Sequence, residues 1–474
     1  MPKRPKKKTP GGNAKRTATK ARTEKRRVEG HAAVDRPVRE DLVRAAALEC
    51  LGGILQERHL ADRVLERVLR RESRLYSNER RAVSERVYAA LRRKATLDFA
   101  IDQALGPAAR RLTSVERDTV RLAGARLLEG EPRARIEESS GIRVDQRRAL
   151  DVLQDLPAHV AKLPEVERVS VQGSVPRFIA ELLIAELGVE GAIELMQTLN
   201  TRGPLTARAN ILKGSREQLL AQLARDGVPA RAGSHSPWAL HLETRINAFS
   251  LETFQEGRFE LQDEGSQLLA LITGARPGEQ VVDACAGAGG KSLALAAMMN
   301  NQGELHALDT DAPRLEDLKP RARRAGVSII RSRKIPADAL AEVALGDLQG
   351  RADRVLVDAP CSGLGALRRN PDARWRLTAD DLPRFAALQA TLLARFSRLC
   401  KPGGLLIYAT CSLARVENEQ VADTTPLPGF DRIDVAELLG PERARGVGAG
   451  RDLRLWPHRH GTDGFFAAAF RRRS

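Results

Sequence analysis

The sequence predicts a multidomain chain: an all-helical part, then a small α+β module, then a C-terminal α/β domain built on a parallel sheet. Three observations carry this. From about Arg39 to Pro164 apolar residues recur at three- and four-residue steps. Between about 166 and 255 a helical stretch, an alternating segment, a helix and a short strand follow one another. From about Phe254 short apolar strands alternate with helices. At 474 residues the chain has room for two to four domains. The boundaries fall at 1–39 for a basic tail, 40–165 for the helical domain, 166–255 for the connecting module and 256–474 for the last domain.

The helical part is read from Val43, Ala46, Ala47, Cys50, Leu51, Ile54 and Leu55, then from Ala82, Val83, Val87, Ala90 and Leu91. Leu97, Ile101 and Leu105 continue the pattern to a stop at Gly106-Pro107. In the module, residues 177–200 read as helix, Leu205–Leu212 alternates as a strand, Arg216–Arg225 is a helix and Trp238–Leu242 a strand. The last domain should hold strands at Gln280–Asp283, Gly303–Leu308, Val327–Ile330, Arg354–Val357 and Leu405–Tyr408, with a final pair near Leu453–Leu455 and Phe465–Phe470.

The formal net charge is +17. Residues 1–30 hold twelve Lys/Arg and two Glu, a net of +10, so the remainder carries about +7 (17 − 10). A Lys/Arg-rich tail that can build no core, and a body with Arg-rich helical faces, point to an anionic polymer as partner, nucleic acid foremost. No apolar run approaches a membrane span, and the charged N-terminus does not read as a secretory signal. A soluble cytoplasmic protein, acting as a monomer, is expected. The five cysteines form no Cys-x-x-Cys pair and no Cys/His spacing suited to zinc. A structural metal is not expected, and room is left for a reactive thiol.

Three stretches carry chemistry. The first is Val281-Val282-Asp283-Ala284-Cys285-Ala286-Gly287-Ala288-Gly289-Gly290-Lys291-Ser292. A strand ends at Asp283, small residues follow, and a helix begins near Lys291. Small residues let a ligand approach the backbone, and a helix start offers free N–H groups. The spacing fits neither a Walker A loop nor Gly-x-Gly-x-x-Gly. The second stretch ends in Asp309, an acid closing the next strand and placed to accept from ribose hydroxyls. Asp338 reads as closing a third strand beside the adenine. Together these suit a nucleoside cofactor without separating S-adenosylmethionine from a dinucleotide.

The third stretch pairs Asp358-Ala359-Pro360-Cys361-Ser362-Gly363-Leu364-Gly365 with Thr410-Cys411-Ser412, each at the end of a strand. Two cysteines on neighbouring strand ends face one crevice. C5 of cytosine is too weak a nucleophile to take a methyl group from a sulfonium. A thiolate adding at C6 makes C5 enamine-like, and an acid near N3 stabilises the developing charge. Asp358 is the natural partner for N3, with Cys411 or Cys361 the nucleophile. Packing is the default reading for Cys50 and Cys400. A thiol where adenine-N6 enzymes carry an aromatic ring argues against N6 chemistry. A non-catalytic RNA-binding assembly factor would keep the basic features but has no use for this set of residues.

On these residues the chain resembles the RsmB/NSUN family of RNA cytosine-C5 methyltransferases. Supporting matches are Gly257-Arg258-Phe259 with Gln262-Asp263-Glu264-Gly265-Ser266-Gln267, Arg314, Glu417-Asn418 and Asp463-Gly464-Phe465-Phe466. The resemblance implies a Rossmann-like class I methyltransferase domain using S-adenosyl-L-methionine. It implies Cys411 as the nucleophile and Cys361 as the residue that assists breakdown of the adduct. Cys285, Ala286, Gly287, Ala288, Gly289, Gly290, Lys291, Asp309, Arg314, Asp338 and Asp358 would bind or border the cofactor. Residues 40–164 look like the NusB-type RNA-binding domain of the bacterial members, which favours ribosomal 16S RNA over tRNA as substrate. The family loop usually reads Ala-Ala-Pro-Gly-Gly-Lys-Thr; here Gly287 and Ala288 replace its second Ala and its Pro, so a more flexible loop is expected.

Overall fold

The computed structural model describes residues 37–244, 246–338 and 340–474. Most of the basic tail, residues 1–36, lies outside the described residues.

The helical part contains the helices Glu40–Leu55, Ala61–Arg71, Ser77–Leu105, Ser114–Leu128 and Arg148–Gln154 around one core. The residues that set the sequence periodicity fill it: Val43, Ala47, Cys50, Leu51, Val83, Val87, Leu91, Leu97 and Ile101 are all buried. The long helix Ser77–Leu105 ends before Gly106, whose φ of 51° suits glycine. Arg39 ties the chain entry to this helix, with its Nε donating to the buried Glu79 carboxylate at 2.8 Å. Burial opposes the charge on Glu79, but the Arg39 hydrogen bond outweighs it and holds the carboxyl down at about 2.

The module is less compact than the sequence suggests. The helices Glu165–Gly173 and Arg177–Leu199 pack against each other and against Leu364, Leu367, Leu382, Leu413 and Trp456 of the last domain. Its strands are β1 (Leu205–Ala209), β2 (Ala230–Ala232) and β3 (Ala239–Leu242), joined by β4 (Phe259–Leu261) in an antiparallel sheet of order β2-β3-β1-β4. β4 follows residue 255, so that expected boundary falls inside this sheet. Phe259 is fully buried in the sheet's own core, and a three-residue strand is too short to announce itself by alternation.

The last domain holds β5 (Gln280–Asp283), β6 (Glu304–Asp309), β7 (Ile330–Lys334), β8 (Ala352–Asp358), β9 (Cys400–Thr410), β10 (Phe430–Ile433), β11 (Leu453–Leu455) and β12 (Phe465–Arg472). Their order is β10-β12-β9-β8-β5-β6-β7, with β11 on β12. β5 to β9 run parallel; β10, β11 and β12 pair antiparallel. The chain order reverses between β5 and β8, and doubly wound sheets bind ligands outside the strand ends at such a point. The expected strand Val327–Ile330 is displaced to β7. Gly326 (φ 77°) closes the helix Ala312–Ala325, and Val327 N–H returns to Ala322 O, so the start of the apolar run belongs to a helix cap. The strand itself, Ile330-Arg-Ser-Arg-Lys, is a polar edge, which hides it from an apolar search.

Asp283 ends β5 fully buried, with Oδ2 accepting from Ser292 Oγ at 2.7 Å and Oδ1 without a partner. Burial pushes its carboxyl up to about 6. The folded value lies above the unfolded one, so Asp283 favours folding at low pH and that contribution is lost as pH rises through about 6. Asp283→Asn should therefore gain stability relative to the native chain between pH 4 and 7, on the order of 3 kcal/mol. Chemical denaturation across that range checks it; parallel pH profiles for the two chains would contradict it.

Candidate active site

The strand ends β5, β6, β8 and β9 open on one cleft of about 990 Å³. Cys285, Ala286, Gly287, Asp309, Arg314, Asp358, Cys361 and Cys411 line it. Ala288, Gly289, Gly290 and Lys291 continue the loop from Gly287 but do not line the cleft. Asp338 is not brought in: it is exposed, and its Oδ1 accepts from Leu340 N–H at the start of the short helix Leu340–Ala344. Ile335, Pro336 and Ala337 line the cleft instead.

The glycine loop is held rather than loose. Gly287 N–H donates to Asp309 Oδ2 at 2.7 Å, Gly289 N–H to Ala286 O at 2.9 Å, and Arg321 Nη1 to Ala288 O. Gly289 has φ 81°, and a Cβ there would sit 2.1 Å from Leu318 Cδ1. Gly287 has φ 54° and open space where a Cβ would point. The connecting module adds a further bond, from Arg208 to Gly290 O at 2.7 Å. A loop open on one side, free of side chains at Gly287 and closed by the Asp309 carboxylate, fits a nucleoside with vicinal hydroxyls.

Lys291 bridges this loop to the end of β8, its Nζ donating to Asp358 Oδ2 at 2.6 Å. Burial opposes its charge, yet the Asp358 carboxylate outweighs burial and raises the ammonium above its ordinary value; ionised Cys411 would add to this. Lys291 thus sets a positive charge within electrostatic reach of Cys411, which its place in the loop motif does not disclose.

Cys361 Sγ and Cys411 Sγ lie 3.3 Å apart. The hydrogen bond to Cys411, and then burial, push the Cys361 thiol far up, so Cys361 keeps its proton; either sulfur can be the donor in their contact. Cys285 is also raised, by burial and then by Asp358, which makes it a neutral wall. Burial pushes Cys50 and Cys400 up to about 12, as packing residues should be.

The two cysteine loops are tied through Glu417, which is fully buried. Its Oε1 accepts from Ser362 N–H at 2.8 Å and Gln389 Nε2 at 2.9 Å; its Oε2 accepts from the hydroxyls of Ser362 and Ser412. Asn418 Nδ2 donates to Ser412 O at 3.0 Å and Gly365 N–H to Cys411 O at 2.9 Å. The motif residues Asp263 and Asp463 share Arg368 and Arg369, which joins β4's loop, the cysteine loop and the start of β12. These motifs support the site without touching the cleft's chemistry.

Sequence reasoning missed the cleft's outer wall. Leu60, Ala61, Asp62 and Arg63 come from the helical domain, facing Asn370, Asp372 and Arg376. Ala61 N–H reaches Asp372 at 3.4 Å, and Trp375 Nε1 donates to Leu91 O at 2.7 Å. No sequence signal marks this stretch, because its place at the cleft follows only from how the helical domain packs.

Residues 270–471 match the family model described as 16S rRNA methyltransferase RsmB/F, and residues 175–248 match the ferredoxin-like domain of RsmF/B-like methyltransferases. A Bacillus subtilis protein named probable ribosomal RNA small subunit methyltransferase B is 31% identical, over 91% of this chain and 99% of its own length. The chain belongs to the RsmB/F family of ribosomal RNA methyltransferases. A Mycobacterium tuberculosis putative methyltransferase is 33% identical over 91% of this chain and 97% of its own. The crystal structure of PH0851 superposes with a TM-score of 0.70 at 26% identity, covering 92% of this chain and 99% of that one. Members of the family use S-adenosylmethionine as methyl donor. Among the described residues no helix is long and apolar enough to cross a membrane.

Two substitutions test the geometry. Gly365→Ala would put a Cβ 2.1 Å from Gly464 O, so stability should fall by about 2–3 kcal/mol in urea denaturation; a neutral result would mean that the loops move freely. Glu417→Gln puts an amide N–H₂ among donors, and should lower stability by about 1–3 kcal/mol and methyl transfer with it. Native stability and turnover in that variant would remove Glu417 from the account.

Proposed function

We propose that the chain methylates C5 of a cytosine in 16S ribosomal RNA through a covalent Cys411–C6 adduct. The observation that carries this is the pair of sulfurs 3.3 Å apart on neighbouring strand ends, in the cleft that Asp309 also lines. Bound S-adenosylmethionine would supply an electrophilic methyl group. Asp309 would accept from its ribose hydroxyls, the Cys285–Lys291 loop would follow its backbone edge, and Arg314 would close the mouth.

Cys411, as the thiolate beside the Lys291 ammonium, adds to C6. Asp358 faces N3 and carries to it the proton that Cys411 gives up, so no net negative charge collects on the ring. The electron pair now at C5 would form the bond to methyl as the methyl's bond to the donor sulfur breaks and that sulfur keeps the electron pair. Solvent water then takes the C5 proton, the C6–S bond breaks to restore the ring, and the N3 proton returns through Asp358 to the sulfur of Cys411. Cys361, with its proton retained, assists by donating a hydrogen bond to the departing sulfur. C6 is reached only from the face of the base, so the cytosine must be single-stranded or flipped out. The helical domain, read as NusB-like, supplies RNA contacts from its Arg-rich faces and walls the cleft. One chain holds every group named, which supports action as a monomer, and a ribosomal RNA substrate supports the cytoplasm as its compartment.

Methyl transfer from labelled S-adenosylmethionine to unmodified ribosomal RNA tests this. Cys411→Ala should lose more than about a thousand-fold. Cys361→Ala should accumulate a protein–RNA adduct on a denaturing gel. Full activity in Cys411→Ala would refute the assigned nucleophile, and no transfer by the native chain would favour a non-catalytic assembly role.

A further inference from the structure

Outside the cleft, the helical domain shares a second recess with the rest of the chain. One face of the long helix Ser77–Leu105 contributes Arg81, Tyr88 and Arg92. Arg202 comes from the turn after the helix Arg177–Leu199, and Arg369 from the cysteine loop's extension. The recess measures about 630 Å³, and a neighbouring one of about 640 Å³ shares Arg92 and Arg202 with it.

Arg92 is the anomaly. It is 7% exposed, its Nε has no hydrogen-bond partner, and it makes no ion pair among the described residues; the Tyr88 ring, 5.7 Å away, and the Glu129 carboxylate offset its charge only in part. Arg374, fully buried nearby, also has Nε and Nη2 unpartnered. Burial, and then Arg202, push the Arg92 guanidinium down to about 10; burial, and then Arg92, push Arg374 down to about 9. Arg202 has a partial counter-charge in Glu85 at 3.3 Å, and Arg369 is engaged with Asp463. Arg81 is exposed and has no ion-pair partner among the described residues. A buried unpaired cation is costly, and persists where a ligand completes it.

We propose that this recess takes a backbone phosphate of the substrate RNA, held by Arg92 and Arg202 with Arg81 at the rim. Guanidinium forks match phosphate oxygens, and the recess lies beside the methyl-transfer cleft. The Tyr88 hydroxyl, on the recess wall, donates to Asp62, on the cleft wall, so one side-chain contact separates the two. A strand whose cytosine enters the cleft carries its flanking phosphates past Arg92. The proposal rests on the RNA reading given above.

The test compares the full chain with Arg92→Gln and Arg202→Gln. Thermal unfolding is measured with and without inorganic pyrophosphate, and ribosomal RNA binding across a salt series. Pyrophosphate should raise the native midpoint. Arg92→Gln should melt no lower than the native chain without ligand, because an uncompensated charge is gone, and should not respond to pyrophosphate. Its RNA affinity should fall about fivefold to tenfold, with the log–log salt slope shallower by about one. Arg202→Gln should lose the same slope, which keeps the test sound if Arg92→Gln misfolds. Arg110→Gln, an exposed change lining neither recess, should keep the pyrophosphate response. A native pyrophosphate response and salt slope in both recess variants would overturn the proposal. Loss of the pyrophosphate response with an unchanged RNA slope would overturn the RNA assignment and leave a small-anion site. A native chain that responds to pyrophosphate but binds no ribosomal RNA would refute the RNA reading rather than the anion site.

Discussion

The Glu417 carboxylate lies between the Pro-Cys-Ser-Gly loop after β8 and the Thr-Cys-Ser loop after β9, out of reach of water and with four donors on its two oxygens. A carboxylate taken from water without compensation would cost several kcal/mol. Hydrogen bonds to a charged acceptor, each contributing about 1.5–3 kcal/mol, offset that only while every donor stays in place. The same bonds fix Ser362 and Ser412, the immediate neighbours of the two cysteines. The Glu417 hydrogen bonds, with Gly365 N–H to Cys411 O across the same two loops, thus hold the strand ends whose sulfurs lie 3.3 Å apart.

From that point support spreads outward by backbone proximity and ion pairs. Gly365 and Gly464 approach too closely for any side chain, which locks the cysteine loop to the start of β12. Arg368 and Arg369 then carry the loop to Asp263 and Asp463. Beyond them Asp372, Arg374 and Trp375 reach the helical domain and the helices at 165–199. On the other side Arg208 and Arg321 hold the glycine loop from the small sheet and from the helix Ala312–Ala325. The helical domain and the module thus bear on the cleft itself, and the helical domain forms part of its wall.

Much of this was legible in the sequence, for physical reasons. The parallel core strands β5, β6, β8 and β9 are short apolar runs ending in small or acidic residues, so both the strands and the crevice at their ends could be read. The two cysteine motifs stood out because their residue types suit one chemistry. What could not be read depends on distance in space. The donors to Glu417 come from three separate segments, Lys291 finds Asp358 across the sheet, and Leu60–Arg63 reach the cleft from another domain. Asp338 misled because an acid after an expected strand looks like a ligand residue, whereas here it caps a short helix. The polar edge strand β7 and the three-residue β4 escaped because burial does not pattern them.

The central claim is that Cys411, and not Cys361, attacks the base. The most direct measurement is to incubate the full chain and S-adenosylmethionine with ribosomal RNA carrying 5-fluorocytosine, then digest and map the cross-linked peptide by mass spectrometry. Fluorine at C5 cannot leave as the proton does, so the methylated adduct persists. The expected result is one nucleotide-bearing peptide modified at Cys411. Modification at Cys361, or methyl transfer to ordinary RNA with no fluorocytosine adduct at either sulfur, would contradict the account.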